Sequence, residues 1–433
     1  RAGIRLNTDA IDNSAGVNTS DVEVNIKIAL AGPVQDGRLP EAARNTLLAE
    51  MTDEVGDLVL RNNYLQTLAL SLTEARGVGA TPGLRYLMQT LEAQGRLDRT
   101  VEYLPSDAVL AEREKRGEAL TRPELAVLLA YAKLALHDAL LESDVPDDLY
   151  LNSELVRYFP QALRERYASD IAGHKLRREI VATQLANAIV NRGGPTLVPV
   201  LSALTHAEIP AIAAAYAVAR DAFDLISLNG AIDALDAKLS GKVQLALYGA
   251  VQDLLRDRMG WFLRRGAARP GTIEATVSHY RAGVTALAGT LETLLPEVQA
   301  QARQARIAVL TAEGVPADLA ARIASLPTLA QATEIVDIAG QTGGDIASVA
   351  AIHFGVDSIF GLSPLAAAAA AVPATDDYER LARERAIETL FDAQAGLTRE
   401  IAAGGMGLDA WQEARRADVE RSRSTVQAIA ASG

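Results

Sequence analysis

The residues best suited to chemistry stand at the beginning of the chain, in the stretch Asn7-Thr8-Asp9-Ala10-Ile11-Asp12-Asn13-Ser14-Ala15-Gly16-Val17-Asn18-Thr19-Ser20. Asn13 carries a donor and an acceptor in one amide, which suits it to hold another carboxamide. Ser20 has a hydroxyl able to bond a carboxylate, Gly16 admits a ligand close to the backbone, and Val17 offers an apolar wall. Apolar Ile4 and Leu6 precede this stretch with the alternation of a strand. A strand running into a loop of small residues is how an open α/β sheet presents groups to a ligand at its carboxyl edge. Because the chain opens at Arg1 with almost nothing before this loop, the expectation is that it forms the tail of a longer protein.

The elements that must hold such a loop follow it. Ser20-Asp21-Val22-Glu23 has the form of a capping box, whereas Val22, Val24, Ile26 and Ile28 alternate, so helix and strand both remain open there. Gly32-Pro33 and Asp36-Gly37 punctuate the chain, and from Leu39 onward the pattern is helical nearly throughout. Leu47, Met51, Val55, Leu58 and Val59 lie on one face at 3.6-residue spacing, continued by Leu65, Leu68 and Leu72. Thr121-Arg122-Pro123-Glu124 is a sharp helix start, followed by a buried stripe of Leu125, Leu128, Leu129, Ala132 and Leu136. Further helices are expected at 171–191, 209–222, 228–239, 243–263, 273–295 and in the tail, with a subdomain boundary near Pro270-Gly271. The body after residue 40 is therefore expected to be all-α.

Bulk properties narrow the function class. The 433 residues suffice for two or three domains, and with only 4% aromatic residues the core must be filled by Ala, Leu and Val, which favours close-packed helices. A net charge of −13 argues against nucleic acid as the main partner, since no excess of cations is available to displace counterions. The absence of Cys excludes disulfides and thiolate metal sites and fits a reducing cytoplasm. No apolar run is long enough to span a bilayer, so a cytoplasmic protein with no membrane partner is expected.

Elsewhere the chemistry is sparse. His137, His174, His206, His279 and His353 form no pair at metal-binding spacing, and surface or satisfied core positions are expected for them. No metal site and no nucleophile elbow, P-loop or G-x-G-x-x-G is visible, so no catalytic residue is assigned within the chain. The basic run His174-Lys175-Leu176-Arg177-Arg178-Glu179 would either grip an acidic partner or form ion pairs between helices. Arg256, Arg258, Arg264, Arg265 and Arg269 bracket Trp261, a pattern read as cation–π contact or solvated surface in preference to nucleobase stacking.

The order Asn13-Ser14-Ala15-Gly16-Val17-Asn18-Thr19-Ser20 resembles the Asn-Ala-Gly-Gly-Val-x-x-Ser loop of glutamate dehydrogenases. The longer string from Asn7 to Lys27 is similar to the very large NAD-dependent glutamate dehydrogenases of bacteria. Two further strings, Leu120 to Lys133 and His174 to Gly194, resemble signatures of the C-terminal region of those enzymes. This resemblance implies oxidative deamination of L-glutamate to 2-oxoglutarate and ammonia with hydride passing to NAD, in an enzyme that is a homo-oligomer. It implies that Asn13 faces the nicotinamide side of the cofactor and that Gly16, Val17 and Ser20 bind substrate, Val17 and Ser20 lining the pocket for its side-chain carboxylate. Ser14-Ala15 replaces the family's Ala-Gly, a departure in the loop's backbone. The implied fold is mainly α: residues 1–37 would be a short edge of an α/β, Rossmann-like catalytic domain, and residues 38–433 an all-helical C-terminal domain that assembles or supports it. On this reading the chain alone is inactive; the alternative is an independent α-helical scaffold.

Overall fold

The computed structural model describes residues 6–372 and 377–432. Among these residues the regular structure consists of 24 α-helices and three short 3-10 turns, with no strand. The mainly α fold expected from the sequence is what forms. The expected opening strand does not: Leu6 belongs to no regular element and is 62% exposed, while Ile4 lies outside the described residues.

The chain forms two compact units, Arg1–Ala219 with Leu255–Glu274, and Arg220–Leu254 with Ala275–Gly433. In the first, the helix Arg177–Gly193 is central, packing on Thr52–Ala75, Arg122–Leu141 and Asn152–Tyr158. Its Ile180, Val181, Leu185, Ala186, Ile189 and Val190 are buried, and small Ala182 and Gly193 keep its neighbours close. Gly194, at φ +89, then ends it with a backbone turn that other residues rarely adopt. The helix Ser14–Gln35 packs on Thr52–Ala75 and on Ala168–Ala172.

Several helix ends follow local chemistry. Thr121 and Glu124 make the expected capping box, with the Thr121 amide donating to Glu124 Oε2 at 2.7 Å, and the helix runs from Arg122 to Leu141. The stripe from Leu47 to Leu72 is broken at Met51 into Glu41–Glu50 and Thr52–Ala75. The helix expected at 171–191 begins instead at Arg177, because the His174 side chain turns back on its own backbone: Leu176 N donates to His174 Nδ1 at 3.0 Å. In the second unit Val356, Leu362, Ile401, Trp411 and Val419 form an apolar cluster beneath Ile346–Phe360 and Asp377–Ala403. Among the described residues no single helix is long and apolar enough to cross a membrane.

Candidate functional site

The segment read from sequence as a loop is helical. Thr8, extended at φ −91° and ψ 158°, leads into a single turn, Asp9–Asp12, and Asn13 joins that turn to the 22-residue helix Ser14–Gln35. The Asn13 carbonyl accepts from Gly16 N at 3.1 Å, and Thr19 Oγ1 donates to Ala15 O at 2.8 Å, so the small residues continue a helix that they were expected to interrupt. The alternation of Val22, Val24, Ile26 and Ile28 misled because only part of it is core. Val22, Ile26, Ala29, Leu30 and Pro33 are buried at helical spacing, whereas Val24 is 51% exposed. Ser20 lies two turns inside the helix and caps nothing.

The helix has two faces with different duties. Asn13, Gly16, Val17 and Ser20 are all exposed and follow one another at spacings of three, one and three, which places them on one outward stripe. Gly16 serves Asn13 directly: a Cβ added at residue 16 would stand 3.0 Å from Asn13 Oδ1, so a side chain there would press on the amide. On the opposite side Ser14, Asn18 and Asn25 are held. Gln66 Nε2 donates to Ser14 Oγ at 3.0 Å, Asn62 Nδ2 donates to Asn18 Oδ1 at 2.8 Å, and Asn25 Nδ2 donates to Tyr158 Oη at 2.8 Å.

Behind that face lies a layer the sequence reading did not assign. Lys133 Nζ donates to Gln66 Oε1 at 3.0 Å, completing a line Lys133–Gln66–Ser14. Burial pushes the Lys133 ammonium down to about 7. Arg122 ties the same layer to the segment before Asn13: Nε donates to Asn7 Oδ1 at 2.6 Å, and its terminal nitrogens donate to Thr67 O, Ser71 Oγ and Glu74 Oε2 at 3.0, 3.0 and 3.1 Å. Asn7 Nδ2 in turn donates to Asp12 Oδ1 at 2.7 Å. A sequence signal for this layer existed, because Asn62, Asn63 and Gln66 stand close together among the apolar positions of one helix and Arg122 and Lys133 lie inside one of the matched strings.

The third matched string is structural. His174 is 5% exposed, its Nδ1 accepts from Leu176 N and its Nε2 lies 3.0 Å from Asn25 O, an arrangement that fits the Nε2–H tautomer. Burial holds its pKa below the ordinary value for histidine. The two arginines of the basic run are occupied within the unit: Arg178 pairs with Asp147 and donates to Leu141 O and Ser143 O at 3.0 Å, and Arg177 donates to Asn152 Oδ1 at 2.5 Å. Arg178 thereby satisfies carbonyls at the end of the helix Arg122–Leu141, the second of the two roles considered for the run. Trp261 is buried with the Arg258 and Arg265 guanidiniums 5.9 and 5.4 Å from its ring, the cation–π arrangement.

Chemically, the outward stripe offers groups suited to binding and orienting a ligand. It carries an amide, a hydroxyl and an apolar surface but no titratable group; the exposed Asp21 follows directly, and Glu23 and Lys27 further along the helix pair with each other at 2.5 Å. Among the described residues no group of three or more His, Asp or Glu gathers as a metal site.

Two family descriptions match the chain: "Glutamate dehydrogenase, C-terminal" over residues 117–433 and "Bacterial NAD-glutamate dehydrogenase, catalytic domain" over residues 1–73. The chain is 40% identical to the NAD-specific glutamate dehydrogenase of Pseudomonas aeruginosa over 99% of its own length and 27% of that relative. It is 38% identical to that of Halomonas elongata over 94% of its length and 25% of the relative. Against that of Mycobacterium tuberculosis it is 34% identical over its whole length, covering 27% of the relative. The chain thus spans about a quarter of the length of the curated relatives it matches.

Proposed function

The chain belongs to the bacterial NAD-dependent glutamate dehydrogenases, matching their C-terminal portion, and from that premise we propose that it takes part in the oxidative deamination of L-glutamate. The reaction is L-glutamate, NAD and water to 2-oxoglutarate, ammonia and NADH. In this reading residues 1–37 are the edge of the catalytic domain, and residues 38–433 hold that edge in place and join copies into a homo-oligomer in the cytoplasm.

The observation that carries the proposal is the two-sided helix Ser14–Gln35. Three polar bonds fix its inward face, and the four residues assigned to ligands share its exposed face. Orienting a hydride donor and acceptor needs placement within about half an ångström, which a braced helix supplies better than a loop. The residues present fit one end of NAD. The exposed Asn13 amide, kept clear by Gly16, would hold the nicotinamide carboxamide, and NAD when bound supplies the hydride acceptor. Val17 and Ser20, one and two turns along the same stripe, would receive the side-chain carboxylate of 2-oxoglutarate. Gly16 would let that substrate approach the backbone. The four residues of the stripe hold no titratable group, so proton transfer is assigned to other residues.

The test is NADH oxidation by the purified 433-residue chain with saturating 2-oxoglutarate and ammonium, beside an enzyme of the relatives' full length. Turnover by the longer enzyme and none by the chain is expected. Turnover by the chain alone would place a complete site among residues given a supporting role here.

A further inference from the structure

We propose that the second unit contains a binding site for a small phosphate monoester with an apolar body, in a cavity of about 630 Å3. Three arginines line it, each from a different helix: Arg281 from Ile273–Leu294, Arg303 from Glu297–Ala312 and Arg322 from Ala317–Leu329. Their positions are set by the protein. Arg303, with its side chain 12% exposed, donates from Nε to Ser325 Oγ at 2.8 Å and from one terminal nitrogen to Glu292 Oε1 at 3.1 Å. Arg281 donates from Nε to the backbone oxygen of Asp221 at 2.9 Å, which anchors the side chain and leaves its terminal nitrogens out of that bond. Arg322 reaches Ser227 Oγ at 3.4 Å and comes within 3.8 Å of Asp224 Oδ2.

The charge around the cavity is left uneven. The acidic partners of these cations are Glu292 and Asp224, whose side chains are 76% and 68% exposed, and such exposed pairs are weak. The nearby Asp221 carboxylate is occupied by Arg220 through two bonds of 2.8 Å. Three guanidiniums line this concavity against two exposed carboxylates, Asp224 on its wall and Glu292, a surplus of positive charge that an anion would balance. Their origin on three helices matches the three terminal oxygens of a phosphate monoester better than the two oxygens of a carboxylate, since each planar fork can take its own oxygen. The cavity is also too large for the ion alone, lying within the range of small-molecule pockets, roughly 300–1,000 Å3. Much of its remaining wall is apolar, formed by residues that include Phe223, Leu254 and Val284, beside the polar Asp224, Thr285 and Ser325. An anionic head against the arginines and an apolar body against that wall would fill it.

Isothermal titration of the full chain tests this with phenyl phosphate, inorganic phosphate and phenylsuccinate at constant ionic strength. Phenyl phosphate should bind at one site per chain, about tenfold tighter than inorganic phosphate and tighter than phenylsuccinate. Arg281→Gln and Arg322→Gln, at two exposed or half-exposed positions, should each weaken phenyl phosphate about tenfold without changing the melting temperature of the unliganded chain. If one variant fails to fold, the other decides. The proposal is overturned by no binding of phenyl phosphate at roughly 10 mM, by equal affinity for phosphate alone, by stronger binding of phenylsuccinate, or by a folded variant that binds as the parent chain does. None of these outcomes depends on dehydrogenase activity.

Discussion

The helices Ser14–Gln35 and Arg177–Gly193 both carry strings that resemble the same enzymes, yet they use those residues in opposite ways. The first turns Asn13, Gly16, Val17 and Ser20 outward and keeps them away from the core. The second buries Ile180, Val181, Ala182, Leu185, Ala186, Ile189, Val190 and Asn191, and its basic residues close the end of a neighbouring helix. A recognisable string can therefore mark an exposed surface as readily as a packed core. Composition does not separate the two; burial does.

The largest way to sharpen this contrast is Leu185→Ala. Leu185 is fully buried in the helix on which three others pack, so the truncation should cost about 3 kcal/mol from lost transfer energy and the cavity left behind. Chemical denaturation of the chain reads it directly. A loss below about 1 kcal/mol would mean that this helix is not the centre of the first unit.

Lys133 provides a test of intermediate size in the layer between the two helices. Its folded pKa, about 7, is below its ordinary value, so above pH 7 the unfolded chain binds the proton that the folded chain does not. Stability contributed by this group therefore rises as pH rises from about 7 towards 10 and is flat below that window. Lys133→Met should remove that slope and raise the melting temperature by a few degrees at pH 7, roughly 3 °C for a gain near 1 kcal/mol. Melting curves at pH 7 and pH 9.5 for both proteins decide it. An unchanged slope would show that Lys133 is solvated and charged like a surface lysine, and the Lys133–Gln66–Ser14 line would lose its role in bracing the site.

How much of this was legible in the sequence differs between the two regions for a physical reason. Periodicity reports burial, so the stripe behind Pro123 and the apolar positions of the helix Arg177–Gly193 could be read from spacing alone. Asn13-Ser14-Ala15-Gly16 was misread because small and polar residues favour turns when isolated. Here a one-turn helix before Asn13 and the packing of Val22 and Ile26 carry the helix through them. The bracing layer was hidden for another reason. Gln66 and Lys133 are 67 positions apart, and no local pattern reports a hydrogen bond across that separation. The late start of the expected helix at 171–191 came from one side chain, His174, bonding a nearby amide in competition with the helix.

The smallest change to the fold is expected on the outward stripe, and that is what makes it the finest test of function. Ser20→Ala and Asn13→Ala alter exposed side chains on the outer face of the first unit, so each should shift stability by less than about 0.5 kcal/mol. In an enzyme of full length the kinetic effects should diverge. Ser20→Ala should raise the Michaelis constant for 2-oxoglutarate by about tenfold, the loss of one hydrogen bond to a charged group, with NADH affinity nearly unchanged. Asn13→Ala should reverse the pattern, weakening NADH first. Steady-state kinetics with each ligand varied in turn separates the two. If both variants keep both constants, the stripe faces no ligand, and its exposure has to be explained by contact with another protein surface. If both constants move together in either variant, the helix is acting through position and not through contact. Only the divergent outcome, with stability unmoved, assigns the carboxamide and the carboxylate to separate residues one and two turns apart on the same face.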